Sequence, residues 1–351
     1  MLYNFLYSLW YTPRNQLTFL QTVIFFLLLP FSYIYSFIVE FKYCLYKNNI
    51  LYSYANHIPI VVIGNIIIGG SGKTPIVIEL ANELKKRGIK VGIISRGYGA
   101  NISKPIIIQD FHKFNDVGDE PLLIYHKTKL PICVHPNRVL ALEYLLKHHK
   151  IDIILSDDGL QHLKLKRNIE CVVFNSNKLG NQALLPAGCL RENVRQWDYT
   201  FYPNNLDEIE DIISKSKSKG FRIIRQSKYL YLLDKPYNIE EINFFKGKKA
   251  ILMAGIANPK SLSKILQEAG IEVIVQQLKD HEAITPKHFL NHQKVDLIII
   301  TEKDAIKCSN SAQTWAENIP IWVITLKIGL PSSFIDDITQ LAHNTKIKHK
   351  I

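Results

Sequence analysis

The amino-acid sequence, 351 residues long, predicts an α/β fold in which helices cover both faces of a parallel sheet. Short apolar stretches rich in β-branched residues recur along the chain and alternate with segments whose apolar residues follow helical spacing. An apolar fraction of 47% supplies enough side chains for a sizeable core. The first such strand, residues 60–63, leads through a glycine-rich turn into the first such helix. Together these observations predict two α/β domains that follow an apolar N-terminal segment.

Charge and cysteine content narrow the class of protein. The formal net charge of +12 favours acidic partners such as nucleic acid, anionic lipid or a phosphorylated substrate, although a simple compositional bias gives the same number. The five cysteines are odd in number and form no C-x-x-C pair. We therefore expect reduced thiols and no structural zinc.

Residues 17–39 carry no charged side chain. This stretch meets the requirement of about 20 apolar residues for crossing a bilayer, and Tyr, Trp, Arg and Lys residues flank it as they flank membrane helices. A signal peptide is one alternative, but the apolar run is too long for one; a buried core helix is the other. We favour an uncleaved anchor over residues 1–45 that spans the membrane or is embedded at its surface.

The glycine-rich turn has the pattern of a phosphate-binding loop. It consists of Gly69, Gly70, Ser71 and Gly72, followed by Lys73 and Thr74. Such glycines let several main-chain N–H groups point at one anion, and the next helix adds the positive end of its dipole. Lys73 would reach the outer phosphates of ATP, and the Thr74 hydroxyl would bind Mg²⁺. Ile67 stands where the usual spacing has its first glycine, and an incidental glycine-rich turn is the alternative.

A second strongly apolar strand, residues 151–156, ends in Asp157 and Asp158. In a phosphate-loop protein, a strand that ends in an acid lies beside the loop, and its carboxylate binds Mg²⁺ directly or through water. Paired carboxylates repel each other and are costly to bury, so the functional interpretation outweighs a structural one. We expect Asp157 and Asp158 to bind the metal together with Thr74.

Three further polar motifs follow strands or begin helices. Arg96 and Tyr98 come at the carboxyl end of a strand, where open α/β sheets bind ligands, but an ordinary turn uses the same residues. Asp119 and Glu120 begin a helical segment, and taken alone they are more typical of a helix cap. Arg138 begins another helix and fits a surface charge as well as a phosphate contact.

The last third of the chain predicts a smaller Rossmann-like domain. Its predicted strands are residues 250–254, 271–275, 295–300 and 319–324, with a helix at 259–269. A β-like pair at 221–224 and 229–233 would join this domain, residues 223–351, to the core domain, residues 46–222. The predicted fold class is therefore a P-loop NTPase-type parallel sheet with helices on both faces, a second Rossmann-like domain and an N-terminal membrane helix.

One later motif has two interpretations. Thr301-Glu302-Lys303-Asp304 follows the end of a predicted strand, where it could approach the nucleotide. The same four residues fit a cap for the helix that follows.

Several motifs, taken in order, resemble one family. They are GNIIIGGSGKTP, SRGYG, GDEP, SDDGLQH, LLPAGCLRE, the pair Asp280-His281 and TEKD. Their order and number, over nearly the whole chain, resemble the tetraacyldisaccharide 4′-kinases of lipid A synthesis. No single motif is specific. The resemblance implies transfer of the γ-phosphate of ATP to the 4′-hydroxyl of a tetraacylated glucosamine disaccharide 1-phosphate.

The resemblance also implies roles for individual residues. Lys73 and Thr74 would bind nucleotide and Mg²⁺, and Asp119 would act as general base toward the sugar hydroxyl with support from His281. Asp119 and His281 fall in different predicted domains, so this dyad implies domain closure before chemistry. The weaker candidates for contacts with the disaccharide or phosphates are Arg96, Tyr98, Glu120, Gln161, His162 and Arg191.

The implied partners are a membrane-embedded glycolipid and anionic inner-membrane lipid, with no nucleic acid and no obligate protein partner. The body would lie on the cytoplasmic face of the inner membrane, because the loop needs cytoplasmic ATP. Two other functions share the fold. A membrane-associated ATPase switch of the partitioning type has a second lysine before the paired glycines, where this chain has Ile68. A P-loop kinase or ligase of small soluble molecules would have no use for residues 17–39.

Overall fold

The computed structural model describes residues 2–70, 72–174, 179–203, 208–256, 259–278, 282, 284–289, 295–308 and 319–348. The helices are α1 (Leu2–Tyr11), α2 (Phe19–Lys47), α3 (Lys73–Lys86), α4 (Phe114–Val117), α5 (Asp119–Thr128), α6 (Arg138–His148), α7 (Glu208–Ser216), α8 (Pro259–Glu268), α9 (Glu302–Ala305) and α10 (Ser332–Lys348). The strands are β1 (Ile60–Gly64), β2 (Val91–Ser95), β3 (Ile106–Ile107), β4 (Ile132–Val134), β5 (Ile153–Asp157), β6 (Ile169–Val173), β7 (Tyr199–Pro203), β8 (Lys219–Gln226), β9 (Tyr229–Leu232), β10 (Lys235–Glu241), β11 (Lys249–Ala254), β12 (Glu272–Gln277), β13 (Leu297–Thr301), β14 (Ile321–Ile324) and β15 (Lys327–Gly329).

The chain divides into two compact units. The first unit comprises Met1–Arg96, Asn137–Ile224 and Leu330–Ile351, and the second comprises Gly97–Pro136 and Arg225–Gly329. The predicted α/β class with a parallel sheet is confirmed. The units differ from the predicted boundaries, because residues 97–136 group with the second unit and residues 330–351 with the first.

In the first unit, parallel strands lie in the order β8-β7-β6-β1-β5-β2. Every residue of β1 and β5 is buried, which explains the apolar runs at residues 60–63 and 153–155. The register pairs Ile63 of β1 with Asp157 of β5. The carboxyl ends of these two strands therefore meet at one edge of the sheet, where the glycine-rich loop begins.

Helix α10 shows why the C-terminal segment belongs to the first unit. The buried ring of Phe334 lies edge-on to Tyr199 and Phe201, with ring centroids 4.9 and 5.0 Å apart. Asp336 accepts a hydrogen bond from Arg87 at 2.6 Å. Such contacts join segments far apart in sequence, so local periodicity does not reveal them.

Helix α2 is the one helix in the described part of the chain that is long and apolar enough, by length and composition, to cross a membrane. Thr18 and Gln21 form a capping box at its start, and Pro30 lies inside it. One face packs on the body: Phe25 is buried, and the Ser32 hydroxyl donates to the Leu184 carbonyl at 2.8 Å. The other face exposes large apolar side chains, namely Phe19, Leu20, Val23, Phe26, Leu27, Phe31, Ile34, Phe37, Ile38 and Phe41.

The sheet of the second unit has the order β10-β9-β14-β13-β11-β12. Strands β12, β11, β13 and β14 are parallel, whereas β9 pairs antiparallel with both β14 and β10. Alternate residues of β11 enter two different apolar clusters, with Leu252 in one and Met253 in the other. The predicted β-like linker does form two strands, but β8 pairs with β7 and β9 with β14, so they do not pair with each other.

Candidate active site

The glycine-rich turn predicted to bind phosphate ends at the first turn of α3. Gly72 is the N-cap residue of this helix and has a left-handed backbone, φ 80°. A left-handed residue at this point favours glycine, which is what the motif supplies. Lys73 begins the helix, and Thr74 is buried beside it. Gly69 also has a positive φ of 95°, whereas Ser71 lies outside the described residues.

The Lys73 ammonium contacts two groups at the carboxyl ends of the central strands. Its Nζ lies 3.2 Å from Asn65 Oδ1 and 3.3 Å from Asp158 Oδ1. Asn65 directly follows β1, and its amide nitrogen donates to the Ile67 carbonyl at 2.6 Å. This bond fixes the side chain so that its oxygen faces the lysine. No motif predicts a role for Asn65, although a polar residue between a buried strand and the glycine-rich loop is a signal for one.

Arg191 reaches the same two acceptors. Its guanidinium donates to Asn65 Oδ1 at 3.0 Å and to Asp158 Oδ1 at 3.2 Å. Burial alone would raise the pKa of Asp158, but Lys73 and Arg191 outweigh it, so the pKa lies below its ordinary value. Two cations therefore share one ionised carboxylate. This excess of positive charge suits a phosphate.

Arg138 holds the main chain of the acidic pair. Its guanidinium is buried and donates to the main-chain carbonyls of Asp157 and Asp158 at 3.1 and 3.2 Å. Burial lowers the pKa of Arg138 to about 10, so the group is charged at neutral pH. Asp158 has a φ of 48°, an uncommon conformation that these contacts help to stabilise. The surface-charge interpretation of Arg138 is therefore wrong.

The predicted metal ligands offer oxygen donors at the edge of the sheet. Asp157 is buried and accepts a hydrogen bond from Ser95 Oγ at 3.1 Å. Asp157, Asp158 and Thr74 supply carboxylate and hydroxyl oxygens, which Mg²⁺ prefers. Across the described stretches, no group of three or more His, Cys, Asp or Glu side chains could hold a metal. The donor set thus fits an ion that takes its remaining ligands from phosphates and water.

Of the weaker candidates, Gln161 lies next to the cluster. Its amide donates to the Asn65 carbonyl and to Glu192 Oε1, both at 3.1 Å. Burial raises the pKa of Glu192 despite the nearby Arg195. For His162, burial and then Arg138 lower the pKa to about 4, so its ring is neutral at pH 7.

The other two candidates at the end of β2 fall in different units. Arg96 is the last residue of the first segment of the first unit. Its positive charge contributes to the lowered pKa of Arg138. Tyr98 belongs to the second unit and is 60% exposed.

A second acidic pair lies in the second unit at the start of α5. Gly118 precedes it with φ 90°, and a Cβ there would lie 2.8 Å from the Tyr98 carbonyl oxygen, so only glycine fits. Asp119 is the first residue of the helix and is only 3% exposed. Lys303 Nζ lies 3.1 Å from Glu120 Oε1 and 3.8 Å from Asp119 Oδ2. One lysine therefore contacts both carboxylates of the pair.

Lys303 comes from the TEKD motif, whose other members hold the short helix α9. The Thr301 hydroxyl accepts a hydrogen bond from the Asp304 amide at 3.2 Å, so the predicted cap is present. Asp304 Oδ2 in turn accepts from the Gly255 amide at 3.1 Å. Glu302 forms an ion pair with Lys127 of α5. The motif thus fixes α9 against α5 and directs Lys303 toward the acidic pair, while His281 lies outside the described residues.

Comparison with known proteins gives consistent results. The family model described as tetraacyldisaccharide-1-P 4′-kinase matches residues 24–343. A tetraacyldisaccharide 4′-kinase of Wigglesworthia glossinidia brevipalpis is 37% identical over 327 residues, which cover 89% of this chain and 85% of the relative. The enzyme of the same name from Hamiltonella defensa is 34% identical over 350 residues, covering 96% and 99% of the two chains.

A solved structure extends the likeness to the fold. The crystal structure of LpxK from Aquifex aeolicus in complex with ATP has a TM-score of 0.70 and 25% sequence identity to this chain. The likeness covers 90% of this chain and 98% of that one.

Proposed function

The chain belongs to the tetraacyldisaccharide-1-P 4′-kinase family, and on that premise we propose that it transfers the γ-phosphate of ATP to the 4′-hydroxyl of a tetraacylated glucosamine disaccharide 1-phosphate in lipid A biosynthesis. The observation that carries this proposal is the cationic cluster at the phosphate-binding loop, where Lys73 and Arg191 meet at Asp158. An ATP phosphate would find two cations and the N-terminal end of α3 at one place.

Positioning and electrostatic stabilisation supply most of the catalysis in phosphoryl transfer. Lys73 would contact the outer phosphates, with Asn65 and Asp158 holding its ammonium in place. Arg191 would stabilise the charge that develops on the transferred group. Mg²⁺, held by Thr74 and by Asp157 or Asp158, would supply further neutralisation of the phosphate charge.

A sugar hydroxyl is a weak nucleophile, so a nearby carboxylate aids its attack on phosphorus. In the proposed reaction Asp119 accepts the proton of the 4′-hydroxyl as that oxygen bonds to the γ-phosphorus and the bond from phosphorus to the bridging oxygen of ADP breaks. Asp119 is suited to this role because it is buried and fixed, with Oδ1 accepting from the Glu120 amide at 2.8 Å. His281 would assist it, as the family resemblance implies.

The substrate side of the proposal rests on α2. Its exposed apolar face would enter the membrane in which the glycolipid resides, and the positive net charge would favour anionic inner-membrane lipid. Ser32, Tyr35 and Ser36, from the middle of the helix, hydrogen-bond with the body of the first unit. A spanning helix would carry those contacts into hydrocarbon. We therefore favour a helix that lies in the interface, with the body on the cytoplasmic side.

The two rival functions fit less well. Ile68 stands where the partitioning-type switch has its second lysine, and the family model that matches residues 24–343 is that of a kinase. A kinase of small soluble molecules leaves the exposed apolar face of α2 without a role.

The acceptor dependence of ADP formation tests this function. The detergent-solubilised full chain is incubated with Mg²⁺ and ATP, either with the tetraacylated disaccharide 1-phosphate or with the same disaccharide after removal of its acyl chains. We expect rapid ADP formation only with the acylated acceptor. Equal rates with both acceptors would favour the soluble-substrate kinase, and ADP formation that ignores both acceptors would favour the ATPase switch.

A further inference from the structure

A hydrogen bond links helix α2 to the candidate phosphate site. The Tyr35 hydroxyl donates to the main-chain carbonyl of Arg191 at 2.9 Å. Arg191 is the residue whose guanidinium meets Asp158 and Asn65. The apolar helix therefore bonds the main chain of a residue whose side chain belongs to the cluster around Lys73.

Both peptide groups of Arg191 are held. Its amide N–H donates to the Ile66 carbonyl at 2.7 Å, which ties it to the segment after β1, and its carbonyl accepts from Tyr35. A main chain fixed on both sides gives the side chain a defined starting point. Without the Tyr35 hydroxyl, the Arg191 carbonyl loses this hydrogen bond, and the long Arg191 side chain magnifies any rotation of its peptide group.

The neighbouring helix α1 makes a similar contact. The Tyr11 hydroxyl donates to the Ile68 carbonyl, directly before Gly69 of the phosphate-binding loop. The Trp10 indole donates to the Pro186 carbonyl at 2.8 Å. The N-terminal segment, predicted as a separate anchor, is thus packed against the site.

We propose that Tyr35 is a positioning residue for the kinase: from the membrane-facing helix, its hydroxyl fixes the Arg191 main chain and so sets where the guanidinium meets Asp158 and Asn65. The inference rests on the proposed function, because it takes this cluster to be the ATP phosphate site. It links the placement of α2 to nucleotide binding. It also gives the N-terminal segment a second role besides membrane attachment.

Replacement of Tyr35 by Phe tests the inference, because it removes the hydroxyl and keeps the ring. The measurement is equilibrium binding of Mg²⁺-ATP to the detergent-solubilised full chain, with a melting curve on the same samples. Loss of one hydrogen bond predicts about threefold to tenfold weaker binding for Tyr35→Phe. The matched control is Tyr33→Phe, two residues away on the same helix, where the side chain is 67% exposed. We expect wild-type binding from the control.

A double-mutant cycle separates positioning from general destabilisation. If Tyr35 acts through Arg191, then Tyr35→Phe should weaken binding in the wild type but change it less than about 1.5-fold in an Arg191→Met background. Equal binding by Tyr35→Phe and Tyr33→Phe would overturn the inference. So would the same loss in both backgrounds, since it would show a structural effect. A wild type that binds ATP but leaves the lipid unphosphorylated would instead refute the proposed function.

Discussion

Asp157-Asp158 and Asp119-Glu120 are both paired carboxylates, but they differ in the charges that surround them. In the first unit, Lys73 and Arg191 both contact Asp158. In the second unit, Lys303 contacts both carboxylates. In the first region three cations, Lys73, Arg138 and Arg191, contact the acidic pair through its carboxylate or its main chain, and this positive surplus suits a phosphate. In the second region two carboxylates share the contact with Lys303, and a carboxylate fixed in this way suits a proton acceptor.

The backbone reinforces this difference. The first pair ends a buried parallel strand, and Arg138 holds its carbonyls in place. The second pair begins a helix behind Gly118, where the helix dipole favours ionised carboxylates. A paired-acid motif in the sequence therefore does not identify a role by itself. The role depends on the cations that the fold brings into contact with the pair.

Loss of Lys73 should have the largest effect. Lys73→Ala removes the ammonium expected on the outer phosphates, and we expect phosphoryl transfer to fall by about a thousandfold or more while the fold stays intact. Initial rates of lipid phosphorylation and a melting curve provide the measurement. Lys86→Ala, at the far end of the same helix, is the control and should keep wild-type activity. Full activity of Lys73→Ala would break the phosphate assignment of the first region.

Loss of Asp119 should have the second largest effect. Asp119→Ala should lower kcat by roughly two to four powers of ten, the range for a positioned acid-base group, with ATP affinity little changed. His281→Ala should cost less, and the double variant should be hardly slower than Asp119→Ala, because the two groups act as a unit. Steady-state kinetics on the three variants provide the measurement. Additive losses of kcat together with a lowered melting temperature would show that Asp119 acts as a helix cap and not as the base.

Loss of Lys303 should have an intermediate effect. Lys303→Gln leaves Asp119 and Glu120 without their shared cation, and we expect kcat to fall about tenfold to a hundredfold. Lys303→Arg keeps the positive charge and should therefore retain part of the kcat that Lys303→Gln loses. Lys127→Gln is the matched control, because it also removes an ion pair between α5 and α9 but leaves the acidic pair alone. We expect the control to stay within about threefold of wild type. Equal losses of kcat in Lys303→Gln and Lys127→Gln would show that Lys303 serves only to hold α9 against α5.

The smallest effect concerns stability against pH in the first region. Burial and the cations around His162 lower its pKa to about 4, so unfolding, which restores an ordinary pKa near 6.5, takes up a proton. Stability should therefore fall as the pH drops below about 6.5, until the folded His162 also protonates near pH 4. Between pH 7 and 5, the melting temperature of wild type should fall about 2 °C more than that of His162→Gln. Identical slopes would contradict the lowered pKa of His162 in the folded protein.

The sequence predicted the elements around the first region well, because each is local. The strand predicted at residues 60–63 is β1 (Ile60–Gly64), and that at 151–156 is β5 (Ile153–Asp157). Buried parallel strands are continuous apolar runs, and the glycine-rich loop has a fixed spacing. Asp158 and Lys73 could thus be expected close together from two short motifs.

The cations that complete each region were harder to predict. Arg138 lies at the start of a helix, where burial is invisible to a local pattern, and Lys303 lies 183 residues from Glu120. The unit boundaries follow the same rule, since Phe334 joins the first unit through rings of β7. Contacts between distant segments depend on the whole fold, and one sequence does not show them.

The location of the transferred phosphate tests the central claim most directly. The purified full chain is incubated with Mg²⁺, ATP and the tetraacylated disaccharide 1-phosphate, and the lipid product is analysed by mass spectrometry and phosphorus NMR. The account predicts a mass gain of one phosphate and a new monoester at the 4′ position beside the original 1-phosphate. ATP consumption that yields only inorganic phosphate, or a phosphate at another hydroxyl, would contradict it.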